Sequence, residues 1–373
     1  MKFTIEGKAF QQQLQAVAKV MNAKNTVNIL DNFLLRVEGD RLWITGSDSE
    51  NMLTAMVHIS DKDGDGEIAV PAKRLLDITK EVANQPISFY INDETKEIDL
   101  KFLNGHFNFM GVDAAAYPRR RALEGEIHEM TLPVSMVSKG IERTAYAVSP
   151  EVSRPIMTGI FWDIKEDRIV FVSSDTHKLV KYSNFEKGPG FESRFVLPGK
   201  TANILRNLVG KDDAEIKIVY DVKGGVFEFG DYLLSSIFVQ GNYPNYDRVI
   251  PQDSPFSLVV DRASLINALR RVTLFASKAS NLVVLKLESD GMLLTGQDLD
   301  YGTKAEERVM CEYSGNEMTL GFNGVFMIEI LNNTAADTVQ LHLSDPARPC
   351  VYTPVERQEG EDLVTIQMPM QVL

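Results

Sequence analysis

The stretch FWDIKEDRIVFVSSD, residues 161–175, alternates apolar and polar side chains, turns at Glu166-Asp167 and alternates again, which is the pattern of a β-hairpin. Two more stretches align with it without a gap: LLRVEGDRLWITGSD at 34–48 and VLKLESDGMLLTGQD at 284–298. The Asp that ends each stretch lies 127 and then 123 residues from the next. A second marker keeps the same register. The prolines of Tyr117-Pro118, Tyr243-Pro244 and Met368-Pro369 follow Asp48, Asp175 and Asp298 by 70, 69 and 71 residues. Two markers in one register make this a chain of three repeats.

Other elements recur in the same order. A helix-like segment precedes each hairpin: KAFQQQLQAVAKVMN from Lys8, VSMVSKGIERTAYAV from Val134 and DRASLINALRRVTLF from Asp261. Their apolar residues fall three and four apart, the spacing of one helix face. A second helix is expected after each hairpin, in PAKRLLDITKEV, PGKTANILRNLV and NGVFMIEILNN. Strand pairs close each unit, as in YINDETKEIDLKF, IVYDVKGGVFEFG and the pair around SDPARP. The expected fold is α+β, with three domains at 1–124, 128–252 and 253–373, each carrying two helices on antiparallel sheets.

Composition is that of a folded globular protein, 44% hydrophobic and 24% charged over 373 residues, too long for a single core. No run of 18 uncharged apolar residues and no secretion signal is found, so a cytoplasmic location away from membranes is expected. Cys311 and Cys350 lack metal-ligand spacing and read as buried thiols. The net charge of -13 is unevenly distributed. Segments 8–24, 72–80, 139–143, 199–211 and 262–278 together carry +13, leaving -26 for the rest. Basic helices in an acidic shell suit a helix-lined face that meets a polyanion, although solvated helix faces also favour Lys and Arg.

Several chemical motifs fail on inspection. DKDGDGE, 61–67, starts like an EF-hand loop, but the position needing a bidentate carboxylate is Ala72. Gly199-Lys200-Thr201 lacks the first P-loop glycine, since Arg194 stands there. SSDTHKLVKY, 173–182, gathers residue types used in catalysis, yet only Asp175 recurs, as Asp48 and Asp298, whereas Thr176, His177 and Lys178 are local. A repeated Asp at a strand end reads as an amide-binding turn residue. His177 then belongs to a binding surface, to the fold, or to an acid-base site whose partners sequence does not place. No catalytic residue, metal or cofactor is assigned.

RPIMTG (154–159), SSDTHKLV (173–180), GNYPNYDRVIP (241–251) and MPM (368–370), in this order and on a threefold repeat, resemble the bacterial DNA polymerase III beta subunit family, the sliding clamps. The resemblance covers essentially the whole chain. It implies a head-to-tail ring dimer of six clamp-type domains, helices lining a central hole, and duplex DNA held without sequence preference. It places Lys24, Lys73, Arg154, Lys200, Arg206, Arg270 and Arg271 toward the DNA. It implies a pocket between domains 2 and 3 for short apolar peptide motifs of the polymerase catalytic subunit, the clamp loader and repair proteins. By motif, that pocket falls on Met157, Ser174, Thr176, His177, Lys178, Leu179, Pro244, Arg248 and Val249, with Phe326, Cys350, Ile366, Met368 and Met370 from the third domain. The protomer contact is carried to Phe107 and Phe109 against Leu274 and Phe275. Thr176-His177-Lys178 departs from the family's usual Gly-His-Arg, and the tail MPMQVL is one residue longer than usual. Two other classes predict different observations. An enzyme built on Asp175 and His177 would lose turnover on His177→Ala, and a scaffold without a DNA role would lack a basic lining.

Overall fold

A computed structural model describes residues 1–210 and 214–372. The three sequence markers become hairpins: Asn32–Glu38 with Arg41–Ser47, Gly159–Ile164 with Ile169–Ser174, and Leu282–Glu288 with Gly291–Asp298. Six helices occupy the expected places: α1 Gly7–Ala18, α2 Ala72–Val82, α3 Val134–Thr144, α4 Gly199–Leu208, α5 Arg262–Thr273 and α6 Gly324–Asn333. Their starts are set locally. The Glu6 carboxylate accepts the Ala9 N–H at 2.7 Å, Asp261 accepts that of Ser264 at 2.7 Å, and Asn323 accepts those of Val325 and Phe326. These side chains satisfy amides that a helix leaves unbonded at its first turn.

The leading helices end earlier than their apolar spacing predicts. Around Lys19 the N–H reaches back to Ala16 and Val17, tightening the last turn, and after α3 the chain passes into a 3-10 turn at Ala145–Ala147. Ser60–Asp63, which overlaps the start of DKDGDGE, is an exposed short strand paired with Lys2–Glu6 through an irregular register.

Among the described residues every strand pairing is antiparallel, and the chain divides into two compact units, 1–134 with 203–238 and 135–202 with 239–373. In the first unit, an eight-stranded sheet is half from repeat one and half from repeat two, joined where Asn51–His58 pairs with Tyr232–Ile237. In the second, a nine-stranded sheet joins repeats two and three where Lys178–Asn184 pairs with Glu361–Gln367. Both junctions use the strand that follows the marker Asp. Its counterpart in repeat three, Thr303–Val309, is the edge of a four-stranded sheet, and Gly105–Met110, counterpart of the receiving strands, is the edge of a five-stranded one.

Small residues before each marker Asp let the leading helix approach. A Cβ at Gly296 would lie 2.3 Å from the Val272 carbonyl oxygen, and one at Gly46 would lie 2.8 Å from Val17 Cγ1. In repeat two the place belongs to Ser173, whose hydroxyl donates to the Thr144 carbonyl at 2.5 Å. Behind these contacts lie cores of buried Leu, Ile, Val and Phe, including Phe10, Leu14 and Ile44 in the first unit and Leu265, Leu285 and Phe322 in the second.

Candidate functional site

The turn after Ser173 is organised by Asp175. Its Oδ1 accepts the N–H groups of His177 and Lys178, each at 2.9 Å, and its Oδ2 accepts the Lys178 ammonium at 2.6 Å. Asp48 receives Glu50 and Asn51, and Asp298 receives Asp300 and Tyr301, in the same way. The repeated Asp is therefore a turn-holding residue, as its recurrence predicts. The Thr176 N–H donates to Ser174 Oγ, and Thr176 itself has φ +78°, a left-handed conformation a β-branched residue rarely adopts. Ser49 takes the same conformation at the equivalent place in the first repeat, whereas Leu299 in the third does not.

Lys178 is 4% exposed, and its Nζ sits between Asp175 and Glu329, 3.0 Å from Glu329 Oε2 and 4.2 Å from the Phe326 ring centre. Neighbouring carboxylates and an aromatic face make burial of the ammonium tolerable. The exposed His177 ring stacks on the same Phe326 at 5.7 Å. It has no hydrogen-bond partner among the described residues, so no acid-base pair is assembled around it.

Beside this turn lies a cavity of about 220 Å³. The sequence-predicted Met157, Ser174, Thr176, His177, Lys178, Leu179, Pro244, Val249, Ile366 and Met368 all line it. Leu179 and Ile366 face each other across paired strands, and Met157 comes from the 3-10 turn Pro155–Met157. Tyr243, Asn245 and Tyr246 also line it, although sequence reading omitted them. Tyr243 stacks on Phe161 at 4.6 Å with its hydroxyl buried and without a hydrogen-bond partner among the described residues. Tyr246 donates to Asp163 at 2.6 Å, and burial together with that carboxylate pushes its phenol pKa well up. The available signal was the pair of tyrosines flanking Pro-Asn in NYPNY, since aromatic rings with one polar tip suit a half-open wall.

Four expected residues stand off the walls. Cys350 is fully buried in a strand paired with Gln367, and burial pushes its thiol pKa up. Phe326 lies behind Lys178 and His177, as their cation–π and ring contacts show. Met370 is drawn away by a backbone bridge to Gly321, and Arg248 points to solvent from a 3-10 turn. The seven basic residues expected to face DNA are all exposed: Lys73 on α2, Lys200 and Arg206 on α4, Arg270 and Arg271 on α5, with Lys24 and Arg154 in bends. Arg271 is already engaged by Glu307 through two bonds, which raise its pKa. Of the expected protomer contacts, Leu274 and Phe275 are exposed and Phe107 is partly so, but Phe109 is buried in its own unit.

Among the described residues no cluster of His, Cys, Asp and Glu could hold a metal, and no helix is long and apolar enough to cross a membrane. Comparison with known families decides what the repeated units are. The DNA polymerase III beta subunit N-terminal domain matches residues 1–121, the central domain 131–245 and the C-terminal domain 247–371. The chain belongs to the DNA polymerase III beta subunit family. It is a sliding clamp of the replicative polymerase, a non-catalytic subunit. The beta sliding clamp of Pseudomonas aeruginosa is 28% identical over all of both chains, and that of Halalkalibacterium halodurans 25% identical over 96% of this chain and 97% of its own. A crystal structure of the Pseudomonas aeruginosa clamp bound to griselimycin superposes with a TM-score of 0.94 at 26% identity, covering both chains completely. The beta subunit of Streptococcus pyogenes, 21% identical, shares the fold with a TM-score of 0.94 over both whole chains.

Proposed function

We propose that two copies of the chain close head to tail into a ring around duplex DNA, and that the cavity beside Asp175 docks short apolar peptide motifs. The observation that carries the ring is the repeated junction. Strand 51–58 takes 232–237 and strand 178–184 takes 361–367, while the third pair of counterparts, 303–309 and 105–110, are both unpaired edges. Pairing 303–309 of one copy with 105–110 of another repeats the same junction, and two such contacts close a ring of six domains, bounded at 1–124, 128–252 and 253–373. A head-to-tail contact either closes or runs on as a filament, and twelve helices at about 8–10 Å each line a hole roughly 30–40 Å across, wide enough for hydrated duplex. Lys24, Lys73, Arg154, Lys200, Arg206, Arg270 and Arg271 then meet phosphates without reading bases. Leu274, Phe275 and Phe107 flank the copy-to-copy contact, with Phe109 supporting it from the core.

For the cavity, apolar Leu179, Ile366, Val249 and Met368 supply an adaptable lining with few polar groups. Its occupants are motifs from the polymerase catalytic subunit, the clamp loader and repair proteins. Phe326 and Cys350 back the walls. Sedimentation combined with DNA retention tests the ring. The expected result is a particle of twice the chain mass that stays on circular duplex and slides off open linear ends, with Leu274→Asp/Phe275→Asp halving the mass. Monomeric mass, or equal retention on circular and open linear duplex, refutes it.

A further inference from the structure

The first junction, inside the unit 1–134 with 203–238, is assembled from the same three strips as the apolar cavity of the second. Turn 47–52 stands for turn 174–179, held by Asp48 as the other is by Asp175. Met52 faces Ser235 across paired strands where Leu179 faces Ile366. The segment after Pro118 takes the place of that after Pro244. A cavity of about 100 Å³ remains there, and it is more polar and carries arginines. Ser235 stands where Ile366 does, although Met52, Val226 and Ile237 keep part of the lining apolar, and Arg119 and Arg120 stand at the register positions of Asn245 and Tyr246.

The arginines show what this cavity recognises. Arg119 holds the Glu67 carboxylate through two bonds of 3.0 and 2.5 Å, and Arg121 holds that of Asp221 through two of 2.6 and 2.7 Å. Between them Arg120 is exposed, lines the cavity and has no ion pair or hydrogen bond among the described residues. We propose that this cavity is a second docking site, whose ligand is a peptide segment bearing a single carboxylate that Arg120 receives. Glu50, which also lines the cavity, carries a negative charge that disfavours a polyanion, which selects an isolated Asp or Glu over a nucleic-acid backbone. The inference uses the repeat symmetry of the chain and does not depend on what fills the apolar cavity.

The test uses the full chain and fluorescent N-acetylated hexapeptides of Gly and Ser with one Glu, their Gln counterparts, and an apolar Leu-Phe hexapeptide. Saturable binding of Glu peptides is expected, with roughly tenfold weaker binding of the Gln set and a similar loss for Arg120→Ala, since a charge-assisted pair is worth about that factor. Arg120→Lys should restore part of the affinity. The Arg120→Ala melting temperature and the apolar peptide's binding should not change. No saturable binding of Glu peptides, equal binding of the Gln set, or binding unaffected by Arg120→Ala overturns the proposal. A duplex oligonucleotide binding through Arg120 while Glu peptides do not also overturns it. The apolar peptide separately tests the other cavity.

Discussion

Replacing Lys178 by Met keeps an unbranched apolar stem in the wall beside Phe326 and deletes only the ammonium. The loss follows from what each carboxylate retains. Asp175, 11% exposed in its side chain, loses the ammonium bonded to Oδ2 but keeps two backbone N–H bonds on Oδ1. Glu329 is 42% exposed and can turn to water. Removing one member of a fully buried pair costs about 3–5 kcal/mol, and the partial compensation here brings the expected loss to roughly 2–3 kcal/mol, including the cation–π contact. Asp175→Asn in the Lys178→Met background removes the orphaned charge while an amide oxygen still accepts the two N–H groups. The double variant should therefore be at least about 1 kcal/mol more stable than the sum of the single losses implies.

Urea unfolding followed by Trp162 fluorescence in a Trp43→Phe background makes this measurable. Trp162 is fully buried between Phe171 and Phe195 in the unit that holds Lys178. The midpoint of that transition should fall at constant slope. A Lys178→Met variant within about 0.5 kcal/mol of its parent, or strictly additive single losses, refutes the view that this ion pair holds the turn.

Tyr243→Phe should raise stability by about 1 kcal/mol, because it removes a buried hydroxyl without a partner among the described residues; a loss of similar size in thermal melts overturns that reading. Gly296→Ala should cost about 1–3 kcal/mol and more than Gly46→Ala, since the new methyl meets a backbone carbonyl in one case and the tip of Val17 in the other; the reverse order of melting temperatures refutes it. Burial alone would raise the Asp221 pKa, but Arg121 and the N–H groups of Glu124, Lys223 and Gly224 outweigh it and bring it down to about 2. Because the folded value lies below the unfolded one, its stabilisation of about 2 kcal/mol is present above pH 4 and is lost as pH falls through 2. The stability gap between the parent and Asp221→Asn should close over that window; a gap unchanged by acid refutes the assignment.

Local chemistry was legible in the sequence wherever one short segment decides the outcome. The hairpins follow from alternation around a charged turn, α1 and α5 from apolar spacing behind Glu6 and Asp261, and the role of Asp175 from its recurrence. Features set by distant partners were not legible. Nothing near Lys178 announces that its ammonium is buried, because Glu329 and Phe326 come from another repeat. Nothing in the β-branched side chain of Thr176 suggests the left-handed backbone it adopts beside Asp175. Met370 is only two residues from the wall residue Met368 yet is held elsewhere by its backbone bridge to Gly321, a partner in a distant strand.

One scaffold repeated three times explains how the junctions diverged. The turn geometry depends on an Asp and its amides, which leaves the following side chains free to vary. In the second junction they are joined by Leu179 and Ile366 and make an apolar cavity; in the first they meet serines and arginines. In the third, Leu299 and Tyr301 are 82% and 84% exposed beside the unpaired edge 303–309, with Met310 also open to solvent. Large apolar residues exposed at both ends of an edge strand are a liability in a lone monomer. Their position at the two ends of 303–309 suits the proposed contact with 105–110 of a second copy, beside which Leu103 is likewise exposed, because that contact would bring these apolar side chains near one another.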